Sequence, residues 1–240
     1  MQHVPGEFRV KLFLDGADLD EMKRAYTESY VSGFTTNPTL MRRGGVTDYE
    51  LFARQAIEAI PDLPLSFEVF SDDFDDMELE ARKIASWGGF TYVKIPITNT
   101  RGQSSLPLIQ RLADDGLRIN VTAIMTLGQV QGSANALNPE VPSIVSVFAG
   151  RVADTGVDPL PLMRNSAAIL EPLPRAELLW ASPRELLNLF HADQCGCDII
   201  TATGDIVKKL GLVGKDPEEF SLETVQMFYN DAQAAGYKIL

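Results

Sequence analysis

The run TYVKIPIT (91–98) sets a lysine inside what otherwise reads as a buried β-strand. Tyrosine, valine and isoleucine are strand formers, and the neighbours of the lysine, Val93 and Ile95, are apolar. An ammonium in such a place needs a partner or a task that offsets its lost hydration. Lys94 is therefore the first candidate functional residue.

Outward from this run, apolar strand-like segments alternate with segments of helical period. Strands are expected at 9–15, 33–37, 65–70, 92–97, 118–125, 143–150, 176–182 and 197–203. Helices are expected at 19–31, 48–60, 73–87, 104–115, 127–137, 158–171, 183–193 and 205–211, with a last one over 221–235. Thr47 or Asp48, and Asp72 or Asp73, are suited to cap helices, and Ser182 before Pro183 reads as an N-cap with proline at the first helical position. Eight βα units without a composition break suit a parallel barrel ringed by helices. The alternative, a doubly wound open sheet, usually carries a glycine-rich turn after its first strand, and LDGADLDE (14–21) has none. The reading is one α/β domain over 1–240, a (β/α)8 TIM barrel with an additional C-terminal helix.

The totals narrow the partners. A net charge of −12 argues against a nucleic-acid backbone. No apolar run approaches the ~20 residues of a membrane span. The opening MQHVPGEFRVKLFLDG lacks the long apolar segment of a signal peptide, so a cytoplasmic location is expected. The two cysteines, Cys195 and Cys197, have no second pair to complete a metal site, and no metal is expected. Histidine occurs only at His3 and His191, which leaves zinc aldolases, Ser-His-Asp hydrolases and Cys-His proteases without their central group.

Almost every expected strand delivers a polar group at or near its C-terminal end, where barrels keep their chemistry. Asp15 ends the first strand and Asn37 the second; Glu68 lies in the third, Asn120 and Thr122 share a face of the fifth, and Ser146 and Phe148 share one of the sixth. Arg151 lies just beyond the sixth, Ser182 ends the seventh, and Arg184 falls in the first turn of the next helix. Taken singly, Asn37, Thr122, Ser146 and Arg184 have ordinary structural roles as caps, strand fillers or solvated residues. Glu68 and Lys94 differ, because a lone buried charge is costly. A shared polar pocket accounts for all of them together.

A lumenal lysine could form a structural ion pair with Glu68 or Asp15. It could also be a nucleophile, since desolvation favours the neutral amine that forms a Schiff base with a carbonyl. An iminium lets the adjacent C–C bond break, with a carboxylate to move the hydroxyl proton and a positioned water to hydrolyse the imine. Asp15 and Glu68 can fill those roles. Lys11, also set among apolar residues, is the rival nucleophile, but it lies near the start of its strand and so at the stability end of the barrel. Arg151, Arg184 and Ser182 at a helix start make an anion site that favours a phosphorylated substrate.

The segments LDGAD, GFTTNPTL, YVKIPIT, LRINVTAIMTLGQV, VSVFAGRVADTG and WASPRELLN resemble, in order, the successive motifs of the transaldolase family over roughly residues 10–210. The resemblance implies a class I, Schiff-base-forming barrel that needs no cofactor and acts on sugar phosphates. It implies Lys94 as the Schiff-base lysine, Asp15 as the acid/base, and Glu68 with Thr122 as holders of the catalytic water. It further implies that Asn37, Asn120 and Ser146 bind hydroxyls of the dihydroxyacetone unit, that Arg151, Ser182 and Arg184 bind phosphate, and that Phe148 flanks the intermediate. Small members of the family form rings, so a homo-oligomer is expected.

The family also holds a branch of fructose-6-phosphate aldolases, similar in length, with Gln at the place of Glu68, Tyr at that of Phe148 and Lys at that of Arg184. The residues here point to the transaldolase side, with release of free dihydroxyacetone as the alternative. Pro183, where phenylalanine is usual, and the polar stretch RVADTGVDP (151–159) leave room for a specialised substrate such as a sulfonated sugar. A silent sugar-phosphate-binding barrel is the non-enzyme alternative.

Overall fold

The computed structural model describes residues 8–239, so His3 lies outside it. The chain divides into two compact units, one over Phe8–Val207 and one whose described part runs from residue 208 to residue 239.

The first unit is a closed barrel of eight parallel strands in sequence order. They are β1 (Lys11–Asp15), β2 (Val31–Thr35), β3 (Leu65–Glu68), β4 (Thr91–Pro96), β5 (Ile119–Ile124), β6 (Ser143–Val147), β7 (Ala176–Trp180) and β8 (Ile199–Ala202). The helices between them are α1 (Leu19–Tyr26), α2 (Pro38–Arg43), α3 (Tyr49–Ala59), α4 (Phe74–Ala85) and α5 (Leu106–Asp114). They continue with α6 (Leu127–Ala136), α7 (Ala149–Asp154), α8 (Leu160–Leu170), α9 (Leu187–Gln194) and α10 (Gly204–Val207).

The period-2 alternation splits each strand between two cores. Phe13, Tyr92, Ile144, Leu179 and Ile199 cluster in one, while Val93, Ile95, Val121 and Val145, all fully buried, take the opposite strand faces under the helices. Gly33 on β2 is required by the inner cluster, since a Cβ there would stand 2.6 Å from the Phe13 ring. The register then sets a row of polar groups beyond that cluster: Glu68 pairs with Lys94 and Lys94 with Asn120, and Asp15 pairs with Thr35. Inner apolar residues thus give way to polar ones toward the C-terminal ends of the strands.

Several boundaries differ from the sequence expectation for local physical reasons. β2 ends at Thr35 rather than 37, because the Asn37 side chain accepts from Leu40 N–H and opens α2, a helix the periodicity does not announce. β6 ends at Val147, and Gly150 and Arg151 lie in the short α7 instead of extending or following the strand. Ser182 is not an N-cap, nor is Pro183 a first helical residue: α9 begins at Leu187. Ser182 instead has a positive φ of 63°, and the N–H groups of Arg184 and Glu185 both donate to Asn188 Oδ1, at 2.8 and 3.2 Å.

In the second unit a 3₁₀ turn (Lys208–Leu212) precedes α11 (Pro217–Ala234). The helix starts four residues before the expected 221. Asp216 caps it through the N–H groups of Glu218 and Glu219, Pro217 takes the first position, and the first turn is acidic.

Candidate active site

A cavity of about 510 Å³ opens at the C-terminal ends of the strands. Asp15, Asn37, Glu68, Lys94, Thr122, Ser146, Phe148, Arg151, Ser182 and Arg184 all line it. Of the residues that the resemblance assigns to the site, only Asn120 does not. It is fully buried beneath the wall, accepting from Ser146 Oγ at 2.6 Å and donating to Ser66 Oγ at 3.1 Å. Its amide therefore fixes the Ser146 hydroxyl at the cavity surface.

Lys94 is 6% exposed and enters the cavity wall. Its Nζ donates to the Thr36 carbonyl oxygen at 2.7 Å and lies 3.2 Å from Glu68 Oε2. The charge is thus paired and hydrogen-bonded, which a buried ammonium requires. Lys11 has no such setting. It is exposed, at the start of β1, and pairs with Glu177 on β7.

Asp15 accepts from Thr35 Oγ1 at 2.8 Å and from Asn37 Nδ2 at 3.4 Å. Burial raises its carboxyl above the ordinary carboxylate range, aided by the nearby Glu68 charge. Lys94 and the bonds from Thr35 and Asn37 oppose that shift without cancelling it. A carboxyl raised in this way can both take and return a proton. The Thr35 hydroxyl is itself bonded to that of Thr201 on β8, so the two strands flanking β1 back this carboxylate, one directly and one through Thr35.

The Thr122 hydroxyl is buried without a protein partner. The next residue, Ala123, has a positive φ of 63°, and the β5–β6 register breaks between Val121 and Ile124. A non-glycine residue in that conformation carries strain of order 1–3 kcal/mol, a frequent mark of functional backbone.

On the other side of the mouth, Arg184 engages Asp154 through both guanidinium nitrogens that face it, with Nε at 3.0 Å from Oδ1. That pairing holds the Asp154 carboxyl below its ordinary range. The Arg151 guanidinium lies 5.4 Å over the Phe148 ring. Gly150 lets α7 approach Ser182, because a Cβ there would sit 1.6 Å from the Ser182 carbonyl oxygen. The two arginines and Ser182 are so brought to one wall, although the helix amides expected beside Ser182 are not there.

Sequence reasoning missed Thr35, Thr36, Arg43 and Asp154. Thr35 and Thr36 carry a signal, as hydroxyls at the mouth end of a strand. Arg43 lines the cavity from the end of α2, an unexpected helix. Elsewhere, Cys195 and Cys197 are buried free thiols, and burial pushes both up. Among the described residues no group of three His, Cys, Asp or Glu is arranged for a metal ion, and no helix is long and apolar enough to cross a membrane.

Comparison with known proteins places the chain in a family. The Transaldolase/Fructose-6-phosphate aldolase family matches residues 12–239. A "Probable transaldolase" of Dehalococcoides mccartyi is 31% identical over 202 residues, covering 84% of this chain and 90% of that one. "Probable transaldolase 2" of Listeria monocytogenes is 34% identical over 223 residues, covering 88% and 98%. A "Probable transaldolase" of Roseiflexus castenholzii is 36% identical over 201 residues, covering 83% and 88%. Among solved structures, a phosphonomutase candidate from Burkholderia cenocepacia superposes with a TM-score of 0.57 at 12% identity, over 92% of this chain and 94% of that one, a likeness of fold alone. The lysine-bearing barrel described above belongs to the transaldolase/fructose-6-phosphate aldolase family.

Proposed function

We propose that this protein is a transaldolase, which moves a dihydroxyacetone unit from a ketose phosphate to an aldose phosphate through a Schiff base on Lys94. The observation that carries the reading is the Lys94 amine, buried in the cavity wall and 3.2 Å from Glu68, with Asp15, Arg151 and Arg184 lining the same cavity.

In this reading Arg151, Arg184 and Ser182 hold the phosphate, whose oxygens match guanidinium forks. Neutral Lys94 attacks the ketone carbon, and loss of water leaves an iminium whose positive charge draws electrons from the bond between its α and β carbons. Asp15 takes the proton of the hydroxyl on the β carbon, two carbons from the iminium carbon. That C–O⁻ becomes the aldehyde of the departing aldose phosphate as the bond breaks, and its electron pair becomes the enamine. An acceptor aldehyde then takes the enamine carbon while Asp15 returns the proton. Glu68 and the unpartnered Thr122 hydroxyl hold the water that enters and leaves during imine chemistry. Asn37 and Ser146, the latter fixed by Asn120, hold hydroxyls of the three-carbon unit. Phe148, under Arg151, closes the wall beside it.

Borohydride reduction with fructose 6-phosphate is the test. It should attach the three-carbon unit to Lys94, read by peptide mass spectrometry; labelling at Lys11, or no labelling, refutes the assignment. Release of free dihydroxyacetone at full rate without an acceptor would place the enzyme on the aldolase side of the family instead.

A further inference from the structure

In a parallel ladder, a residue donates its N–H to one residue of the neighbouring strand and accepts at its C=O from the residue two further on. Thr36 begins this pattern, for its N–H donates to the Ser66 carbonyl at 3.2 Å. Regular continuation would bring the Glu68 N–H onto the Thr36 carbonyl. That carbonyl instead accepts Lys94 Nζ at 2.7 Å. The displaced Glu68 N–H donates to the Tyr49 hydroxyl at 2.8 Å, and the same hydroxyl donates to the Glu68 carbonyl oxygen at 3.0 Å. One phenol thus closes both backbone groups of Glu68 on the side where β2 has already ended.

Its aim is preset. Tyr49 is the first residue of α3, whose start is fixed by Asp48 accepting from Leu51 N–H. The ring is wedged against Phe70, Trp87 and Phe67, with centroids 4.5, 5.7 and 6.2 Å away. Burial pushes the phenol far above its ordinary range, so it stays protonated, and a donor, through neutral pH.

We propose that Tyr49 is a positioning residue of the Lys94 centre. By taking the Glu68 amide it leaves the Thr36 carbonyl to the lysine, and it fixes the strand end from which the Glu68 carboxylate reaches Lys94. Without the hydroxyl, the Glu68 N–H is either orphaned in a half-buried place or competes with Lys94 for Thr36. This inference rests on the Schiff-base reading above.

The test compares the rate of borohydride-trappable Schiff-base formation, kcat, KM and melting temperature in wild type, Tyr49→Phe and Trp87→Phe. Tyr49→Phe keeps the ring, and should slow trapping and kcat about 10- to 100-fold with KM within about threefold. Trp87→Phe trims the same aromatic cluster without touching Glu68, and should lower the melting temperature while trapping stays at the wild-type rate. Installing 4-aminophenylalanine at 49, which can still donate and accept, should restore trapping to within about threefold and covers the case in which the Phe variant does not fold. Wild-type trapping in Tyr49→Phe, slow trapping in a well-folded 4-aminophenylalanine variant, or equal slowing by Trp87→Phe overturns the proposal. Absence of trapping at Lys94 in wild type defeats the reading beneath it and this inference with it.

Discussion

Replacing Gly150 by alanine tests how the proposed anion wall is built. The added Cβ would stand 1.6 Å from the Ser182 carbonyl oxygen and 2.7 Å from its carbon, both backbone atoms that cannot rotate aside. Real Cβ contacts stay beyond 3.0 Å, so α7 and the Ser182 segment must separate by roughly 1.4 Å. That movement breaks the weak 3.4 Å bond from Gly150 N–H to the Ala181 carbonyl. It also meets a segment with little slack, since Ser182 already sits at a positive φ of 63°. Arg151 follows Gly150 directly, and Arg184 lies two residues past Ser182, so the two guanidinium groups and Ser182 are pulled out of register by on the order of 1 Å. A misplacement of that size weakens a two-pronged anion site by about 10- to 100-fold, or roughly 1.4 to 2.8 kcal/mol. Overpacking of this kind also lowers stability by about 1–3 kcal/mol. The assay compares kcat/KM for fructose 6-phosphate with that for unphosphorylated fructose or dihydroxyacetone, alongside a melting curve. Loss should fall on the phosphorylated substrate through KM, with Lys94 still trapped by the unphosphorylated one. An unchanged KM for fructose 6-phosphate, or an equal loss on both substrates, refutes the reasoning.

Further outcomes follow from individual side chains. Thr122→Val removes a buried hydroxyl that has no protein partner, so the melting temperature should hold or rise while turnover drops at least about tenfold; a lower melting temperature would show a bond the structure does not contain. Asp15→Asn should abolish C–C cleavage by about 10²- to 10⁴-fold and still allow Schiff-base trapping, checked by comparing turnover with borohydride labelling. The Asp15 pKa is raised from 3.8, so above that value the native state holds this proton more tightly than the unfolded chain and loses stability as pH climbs through the folded pKa. Asp15→Asn should therefore melt above wild type at neutral pH, with the gap closing below about pH 4, and a pH-independent gap would contradict the shift. Arg184→Ala should raise KM for phosphorylated substrates about tenfold or more at near-constant kcat, whereas Asp154→Asn should barely move the melting temperature, since their ion pair is about half exposed.

The strand pattern was legible in the sequence because the chemistry demands it. A barrel strand is apolar on the helix side and turns polar on the lumen side toward its ends, and YVKIPI and RINVTAIM show that change in period 2 toward the C-terminal end. The site followed from the same argument, since Lys94 and Glu68 are charges set among apolar residues near the C-terminal ends of their strands, where burial requires a partner. What could not be read is how the gaps between those strands close. Asn37 reads equally as a strand end or a cap, and only the structure shows it opening α2 so early that β2 stops short of Glu68. Tyr49 reads as an aromatic at a helix start, and nothing local says that its hydroxyl will meet an amide nineteen residues away. Ser182–Pro183 fits a helix start by local propensity, and it loses because α7 presses Gly150 against the Ser182 carbonyl and forces a left-handed turn there. At Tyr49 and Ser182 the decisive contact joins distant segments, which local propensity cannot show, whereas at Asn37 two local roles compete; each lies on the wall of the cavity or directly behind it. The strand pattern specifies the barrel; the departures from it set the geometry around Lys94, Glu68 and the arginines.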